Sequence, residues 1–358
     1  MTHVRLGIAA AAAALLAASG PAGAAPFSAE VVFGDSLSDN GNLADALSHS
    51  FPTPPFYNNS FTNGPVAVQV LAQRLGLQAT ASFFPSAGVN KVGTGAAPGT
   101  NFAVAGATAG NSIPTNGNAT QGVTGLNLGT QIGAFLQGAG GTAPASALYT
   151  VFIGGNDVRT AAHQGSAAYV TDGITAELAG LATLIARGAT NLLVVNVPDV
   201  GLIPEFTTYS PAGQAAAATA YSQSYNAQLA AGVASLVAAN PADNIKLFDL
   251  YGFNNGIVAN PGSLGITNNT QACYISYGGV TNNNPLVINP ACGPIDPTTN
   301  QATNIGTFQY WDPIHPTAQV QAAFGNALYA FEVPEPSALA VLGVGLLGLA
   351  LVRRQRTN

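Results

Sequence analysis

The stretch VVFGDSLSDNGN, residues 31–42, joins a short apolar run to a polar turn that holds a serine. The run at residues 31–33 has the β-branched and aromatic composition of a buried strand, and Gly34 ends it. In open α/β folds, ligands bind beyond the carboxyl ends of parallel strands. We therefore expect the backbone to hold Ser36 at such an edge, where its hydroxyl suits a nucleophile. A polar turn with no chemical role explains this stretch equally well.

Both ends of the chain have the character of targeting segments. Residues 1–25 combine a short basic start, an apolar run and small residues, which is typical of a cleaved secretory signal peptide. Residues 333–358 contain a Pro-Glu-Pro triplet, an uncharged apolar run at 338–352 and three arginines. The apolar run predicts a transmembrane helix, slightly short for a full span, with the arginines on the cytoplasmic side. An ordinary C-terminal membrane anchor is one interpretation of this tail.

The body between these ends, residues 26–332, is long enough to form one large α/β domain. It contains five Lys and Arg residues against fourteen Asp and Glu residues, so it is acidic, like the whole chain with its formal net charge of −6. Five scattered cations cannot form a basic patch, which argues against nucleic acid as a partner. Charged residues make up only 7% of the chain, so amides and hydroxyls must solvate the surface, which suits an extracellular protein.

Two cysteines, Cys273 and Cys292, are separated by eighteen residues. In an oxidising compartment we expect them to form a disulfide. Closing a loop of this size stabilises a protein by about 3 kcal/mol. A catalytic thiol is not favoured here, and a zinc site is not favoured because no histidine lies nearby, so no metal is expected.

Apolar runs alternate with helical stretches along the body, and this alternation predicts a parallel sheet with helices on both faces. Strands are predicted at 31–33, 101–106, 148–153, 191–197 and 245–250, and helices at 66–75, 132–136, 167–187, 212–239 and 317–331. Residues 251–307 show little periodicity. Most of them, 252–307, are interpreted as a long disulfide-containing loop or cap, with a lid over the site as one possible role.

A second polar stretch, Asp312-Pro313-Ile314-His315-Pro316, supplies a base. On a turn, Asp312 can accept a hydrogen bond from Nδ1 of His315, which leaves Nε2 free to take a proton. The flanking prolines restrict the backbone of this pair. Alternatively, Asp312 only caps the helix that begins near Pro316.

Two strand ends offer hydrogen-bond donors for a tetrahedral oxyanion, whose donors contribute about 3–4 kcal/mol each. Gly106 ends a strand-like piece where a backbone N–H can approach closely, and Asn156 follows two glycines at the end of another strand. An ordinary turn at Gly106 and an Asx-turn at Asn156 are the structural alternatives. The Gly-x-Ser-x-Gly elbow is absent because position 38 is serine. A calcium loop at 39–42 lacks the required spacing and terminal glutamate.

Taken together, four stretches in this order resemble the GDSL, or SGNH, hydrolase family. They are the serine block at 34–42, the glycine block at 101–106, the Gly-x-Asn-Asp block at 154–157 and the Asp-x-x-His block at 312–315. The resemblance implies a flavodoxin-like, three-layer α/β/α fold with a parallel sheet, and ester hydrolysis without a cofactor.

The same resemblance implies roles for individual residues. Ser36 would be the nucleophile, His315 the base and Asp312 the residue that orients it. The oxyanion hole would combine the backbone N–H groups of Ser36 and Gly106 with the side chain of Asn156. Gly110 can be aligned in place of Gly106.

The C-terminal tail resembles the PEP-CTERM sorting signal of exported bacterial proteins. This implies transient membrane anchoring through the C-terminal helix and removal of the tail by an exosortase-type protease near Pro334. The protein is therefore expected to be secreted or to reach the cell surface, either free or attached.

The leading hypothesis is a secreted serine esterase that acts on lipid or short-chain acyl esters through an acyl-enzyme. The extended serine block and residues 61–65 look like the lipase and phospholipase/acyltransferase branch of the family. Aromatic residues could line an acyl groove, although core packing also accounts for them: Phe51, Phe56, Tyr57, Phe61, Phe83 and Phe84. The alternatives are a polysaccharide O-deacetylase of the same fold and a non-catalytic surface or matrix protein on this scaffold.

Overall fold

The computed structural model describes residues 26–47, 49, 51–52, 55–82, 99–111, 126–276 and 287–333. Its strands are β1 (Glu30–Gly34), β2 (Leu148–Phe152), β3 (Asn191–Val195), β4 (Asn244–Phe248), β5 (Asn268–Ala272), β6 (Tyr274–Ser276), β7 (Val287–Ile288), β8 (Ile295–Asp296), β9 (Gln301–Ala302) and β10 (Phe308–Tyr310). Its α-helices are α1 (Asn42–Ala46), α2 (Ala67–Arg74), α3 (Leu128–Gly138), α4 (Gly155–Gln164), α5 (Ala168–Ala186), α6 (Gln214–Ala239), α7 (Leu250–Ala259) and α8 (Ala318–Glu332).

The central sheet consists of β1 to β4, which pair in parallel and in chain order. The segment predicted as a strand at 101–106 runs along the outer edge of β1. There Asn101 bridges Val32, and the backbone N–H of Phe102 donates to the Val32 carbonyl at 2.8 Å. The carboxyl ends of these strands therefore meet along one edge, where the polar blocks of the sequence follow.

Side chains from each strand alternate between two helical layers, as the two-residue period of a strand requires. From β2, Tyr149 and Val151 join the apolar cluster that includes residues of α3, α4, α5 and α6. Leu148 and Phe152 point to the opposite face and join the cluster formed with α2 and α8. The sheet thus lies between two layers of helices, which confirms the predicted three-layer α/β class.

Three helices, the short α1 together with α4 and α7, lie where none was predicted. α4 starts inside the Gly-x-Asn-Asp block, preceded by Gly154, whose φ of +103° favours glycine. A Cβ at Gly154 would also lie 2.5 Å from the Tyr225 ring. α7 is capped by the Asp249 side chain, which accepts from the Gly252 N–H at 3.0 Å. Only Leu250 and Ile257 of α7 are buried, so the helix lacks a continuous apolar face.

Within the described part of residues 251–307, where the sequence shows little periodicity, the structure contains a helix and several short strands. After α7, strand β5 pairs in parallel with β10, while β6 with β7 and β8 with β9 form small antiparallel pairs. These strands contain two to five residues each. Such short runs carry too few alternations to be recognised from the sequence.

The disulfide between Cys273 and Cys292 is confirmed, with a Cα–Cα distance of 5.4 Å. Both cysteines are fully buried. The segment that they close packs against the chain that follows β10, since the Tyr274 ring lies 3.9 Å from the Trp311 ring.

Apart from Val333, the two targeting segments lie outside the described residues, as do Phe83 and Phe84. The signal peptide at 1–25, the apolar helix at 338–352 and the single domain at 26–332 therefore remain predictions. No helix within the described part of the chain is both long and apolar enough to cross a membrane.

Candidate functional site

Ser36 lies directly beyond the carboxyl end of β1, as predicted. Its turn is held by Asp35, whose backbone carbonyl accepts from the N–H groups of Ser38 and Asp39 at 3.1 and 2.9 Å. A Cβ at Gly34 would lie 2.4 Å from the Phe152 carbonyl, so only glycine lets this end of β1 lie so close to β2. Ser36 is buried, with 8% of its surface exposed.

The structure brings Ser36, His315 and Asp312 together in one hydrogen-bonded chain. Ser36 Oγ lies 2.7 Å from His315 Nε2, and His315 Nδ1 lies 2.7 Å from Asp312 Oδ2. These groups are 279 and 3 residues apart in sequence. His315 is 4% exposed and Asp312 is fully buried. A carboxylate beside Nδ1 places the proton there, so Nε2 faces the serine as an acceptor.

The turn that carries His315 is fixed by its own polar groups. Asp312 Oδ1 accepts from the backbone N–H groups of Ile314 and His315 at 2.8 and 2.7 Å. The N–H of Trp311 donates to the His315 carbonyl at 2.8 Å. Thr317 precedes the first residue of α8, so the alternative in which Asp312 caps this helix is wrong.

Residues 61–65 hold the start of α8 from the other side. The Thr62 hydroxyl donates to the Pro316 carbonyl at 3.0 Å, and Asn63 Oδ1 accepts from the Ala318 N–H at 2.8 Å. These bonds join segments more than 250 residues apart. The block after the aromatic loop therefore positions the histidine turn.

Gly106 lies in a tight turn beside the serine loop. Its φ is +78°, and the Ala107 N–H closes the turn on the Val104 carbonyl at 3.0 Å. The preceding Ala105 N–H donates to Asp39 Oδ2 at 2.8 Å, which ties this turn to the serine loop. Gly110, the other alignment, donates its N–H to Asp157 Oδ1 at 3.0 Å. That donor is already engaged, so the geometry favours Gly106.

Asn156 lies in the first turn of α4 and reaches the same loop. Its Nδ2 donates to the Ala107 carbonyl at 2.9 Å, while its Oδ1 accepts from Arg159 Nη1 at 2.8 Å. A Cβ at Gly155 would lie 3.6 Å from Asp35 Oδ2, so the helix start adjoins the serine turn. The Asx-turn alternative for Asn156 is wrong, because its oxygen bonds to a side chain rather than to nearby backbone.

Buried polar side chains connect the serine block to the glycine block. Asp39 accepts four backbone N–H bonds, two of them from Gly41 and Asn42 at 2.8 Å each. Asn42 Nδ2 donates to the carbonyls of Asn101 and Ala103 at 2.9 and 2.7 Å. Asn101 Nδ2 in turn donates to the Ser38 carbonyl at 2.7 Å. These bonds give the extended serine block a structural role.

Burial dominates the electrostatics around the serine turn. It raises the pKa of Asp35 to about 6, although the Leu37 N–H and the charges of His315 and Arg159 act in the opposite direction. Burial likewise raises the pKa of Asp39 to about 6 and that of Asp157 to about 7. The surroundings of these three carboxyl groups thus oppose negative charge on them.

The described part of the aromatic loop packs against the histidine turn. Phe51, Phe56 and Phe61 are buried and contact one another edge-on, with ring centroids 5.6–5.8 Å apart. Phe61 lies 5.3 Å from the His315 ring, and Phe56 lies 5.6 Å from the Trp311 ring. Packing, the alternative interpretation, therefore accounts for these three residues.

The disulfide-containing segment adjoins the site as well. The Tyr274 N–H donates to the Trp311 carbonyl at 2.8 Å, and Gln301 Nε2 donates to the Pro55 carbonyl at 2.6 Å. The segment therefore supports both the histidine turn and the aromatic loop. Whether it acts as a lid remains a prediction.

Three residues at the site were not singled out from the sequence. Gln131 pairs with the backbone of Gly34, accepting from its N–H at 2.9 Å and donating to its carbonyl at 2.8 Å. Arg159 and Glu205 extend the contacts of Asn156. The spacing of Asn156 and Arg159, three residues apart, was the one available signal, and it has meaning only once α4 is known to be a helix.

Two sequence patterns match the chain. The PEP-CTERM protein-sorting motif matches residues 332–355 and indicates export to the cell surface or beyond in bacteria, with exosortase processing. The sequence model of the GDSL-like lipase/acylhydrolase family matches residues 31–328, which contain all four blocks of the site.

Two relatives agree with this assignment. A phosphatidylcholine-sterol acyltransferase of Aeromonas hydrophila is 25% identical over 332 residues, which cover 85% of this chain and 90% of that protein. Lipase 1 of Photorhabdus luminescens is 29% identical over 184 residues, which cover 50% of this chain and 23% of that protein. The match over residues 31–328, together with the three-layer fold, shows that the chain belongs to the GDSL-like lipase/acylhydrolase family.

Proposed function

We propose that this chain is an exported serine hydrolase that cleaves lipid or short-chain acyl esters through an acyl-enzyme. The observation that carries the proposal is the unbroken chain from Ser36 Oγ through His315 to the buried Asp312 carboxylate, with 2.7 Å at each step. A serine hydroxyl is a weak nucleophile alone, and an adjacent, oriented base activates it. A purely structural polar network would not require a histidine whose Nε2 faces a serine at the carboxyl end of a strand.

The reaction proceeds in two halves. His315 Nε2 takes the Ser36 proton as Oγ bonds to the ester carbonyl carbon, and the carbonyl oxygen becomes an oxyanion. The N–H groups of Ser36 and Gly106 and the second N–H of the Asn156 amide stabilise that oxyanion. When the intermediate collapses, the alcohol leaves with the proton from His315. A water then repeats the sequence on the acyl-enzyme, releases the acid and regenerates Ser36.

Hydrolysis of p-nitrophenyl esters by the purified full chain tests the proposal. Ser36→Ala should abolish turnover above the uncatalysed rate, whereas Ser235→Ala, at an exposed helical serine, should leave it unchanged. Equal rates for wild type and Ser36→Ala would reject the proposal. A panel of acyl-chain lengths beside acetylated glycans then distinguishes lipid esters from polysaccharide O-acetyl groups. Wild-type protein without turnover on any ester would favour a non-catalytic surface role.

Acyl transfer is the second candidate, because the relative from Aeromonas hydrophila, of which the match covers 90%, is named an acyltransferase. In that reaction an alcohol replaces water as the acceptor of the acyl group in the second half. The first half, in which the acyl-enzyme forms, is the same. Supplying a sterol or another long-chain alcohol with a phospholipid should then yield the new ester. Release of free fatty acid alone under those conditions would leave hydrolysis as the activity.

We further propose that the apolar run at 338–352 holds the precursor in the membrane until cleavage near Pro334. The sorting motif at 332–355 supports this order of events. The intact mass of the protein recovered outside the cells measures it. A mass that still includes the arginines of the tail would contradict cleavage.

A further inference from the structure

Arg159 connects the candidate oxyanion donor to a second carboxylate that the proposed reaction does not use. Its Nη1 donates to Asn156 Oδ1 at 2.8 Å. Its Nε and Nη2 donate to Glu205 Oε2 and Oε1, both at 2.7 Å. A guanidinium fork that grips both carboxylate oxygens has a fixed plane, so its third nitrogen has a fixed direction. Glu205 thus determines where Arg159 can place its donor to Asn156.

This contact settles which way the Asn156 amide points. Arginine carries donors only, so the atom facing Nη1 must be the amide oxygen. The amide nitrogen then faces the Ala107 carbonyl at 2.9 Å, next to the Gly106 turn. Rotation by 180° about the side-chain bond would put an N–H₂ group against the guanidinium and an oxygen against a carbonyl. An oxygen turned toward the site would repel an oxyanion.

Glu205 is itself anchored to the other half of the site. Burial alone would raise the pKa of Glu205, but the charge and hydrogen bonds of Arg159, with a contribution from His163, lower it to about 2. The backbone N–H of Glu205 donates to the Pro313 carbonyl at 2.9 Å, inside the turn that carries Asp312 and His315. The residue lies in the π-helical segment Glu205–Tyr209, and π-helical turns often occur at functional sites.

We propose that Arg159, held by Glu205, is a positioning residue that orients the Asn156 amide as an oxyanion donor. This inference rests on the proposed ester hydrolase function. Arg159 acts through Asn156 and does not touch the substrate. Losing one oxyanion donor costs about 10²–10³-fold in kcat, and losing its orientation costs part of that. We therefore expect Arg159→Met to lower kcat by about 10- to 100-fold with little change in KM.

A double-mutant cycle with Arg159→Met and Asn156→Ala tests the inference on the full chain. If Arg159 acts only through Asn156, then Arg159→Met has no further effect on kcat in the Asn156→Ala protein. Losses that multiply in the double variant would overturn the inference, and so would an unchanged kcat for Arg159→Met in the presence of a clear Asn156→Ala defect. Arg187→Met, at an exposed arginine, is the matched control.

A second variant, Arg159→Lys, tests the inference even if Arg159→Met does not fold. Arg159→Lys keeps the positive charge beside Glu205 but cannot grip two oxygens and Asn156 at once. It should retain the thermal unfolding midpoint better than Arg159→Met, show an intermediate fall in kcat, and show none in the Asn156→Ala background. Wild-type kcat in Arg159→Lys would contradict the need for the fork.

Failure of the proposed hydrolase function and failure of the role given to Arg159 lead to different results. If the proposed hydrolase function is wrong, wild type and Ser36→Ala give equal rates, and no variant at position 156 or 159 changes them. If only the inference is wrong, Ser36→Ala and Asn156→Ala lose activity while Arg159→Met behaves independently of Asn156.

Discussion

Replacing Asp312 with asparagine changes one atom at the most constrained point of the site. Asp312 Oδ1 accepts two backbone N–H bonds, from Ile314 and His315, and Oδ2 faces His315 Nδ1. Asparagine has one oxygen for these three donors. If that oxygen keeps the two backbone bonds, the side-chain N–H₂ faces Nδ1. Nδ1 must then act as the acceptor, the imidazole proton moves to Nε2, and His315 can no longer take the Ser36 proton.

The two backbone bonds give the size of the effect. Turning the asparagine so that its oxygen faces Nδ1 leaves the buried N–H of His315 and the part-buried N–H of Ile314 without an acceptor, at about 1–3 kcal/mol each. The working orientation therefore lies roughly 2–6 kcal/mol above the other, which corresponds to about 30-fold to 10⁴-fold at 1.36 kcal/mol per decade. The equivalent change in a Ser-His-Asp protease lowers kcat by about 10⁴, at the upper end of this range.

The assay is steady-state hydrolysis of a p-nitrophenyl ester, with kcat and KM measured separately. We expect kcat to fall by at least 30-fold while KM stays within a few-fold. Asp296→Asn is the matched control, because Asp296 Oδ1 also accepts backbone N–H bonds two and three residues ahead, at 2.7 and 3.3 Å. An Asp312→Asn enzyme that folds like wild type and keeps its kcat would refute this reasoning.

Three further predictions concern stability. Gly34→Ala should lower the free energy of unfolding by more than about 2 kcal/mol in denaturant titration, because its Cβ would lie 2.4 Å from the Phe152 carbonyl; a neutral result would contradict the close approach. Replacing both cysteines (Cys273→Ser and Cys292→Ser) should lower the free energy of unfolding by about 3 kcal/mol. Equal unfolding midpoints for the oxidised and the reduced wild type would contradict this. Burial raises the pKa of Glu30 from 4.5 to about 8, so the contribution of this group to stability should be full below pH 4.5 and be lost as the pH rises to 8. Glu30→Gln should flatten that decline, and an unchanged slope would contradict it.

The sheet and the positions of its polar ends could be predicted because both depend on local sequence. The runs at 148–153 and 191–197 are mostly apolar, as is typical of strands buried on both faces. The first run is followed by Gly154 and the second by Pro198 and Asp199, which marks the edge where the chain leaves the sheet. The Asp-x-x-His turn was recognisable because its main hydrogen bonds span only three residues.

The rest of the site depends on contacts that sequence spacing does not reveal. α4 begins at Gly155, and a pair of glycines favours a turn over a helix start until the Tyr225 ring is known to lie against Gly154. The pairing of Arg159 with Glu205 joins residues 46 apart and needs both α4 and the segment at 205–209 to be in place. The same holds for Gln131, whose partner Gly34 is 97 residues away. Long-range pairing of this kind is decided by the packed fold.

Covalent labelling tests the central claim most directly. The native full chain is treated with a fluorophosphonate, which reacts with an activated serine hydroxyl, and the adduct is located by mass spectrometry. We predict a single adduct, on Ser36, and we expect its formation to be abolished or strongly slowed in a folded His315→Ala variant. An unlabelled Ser36 in protein that retains its fold, or an adduct on another residue, would contradict it.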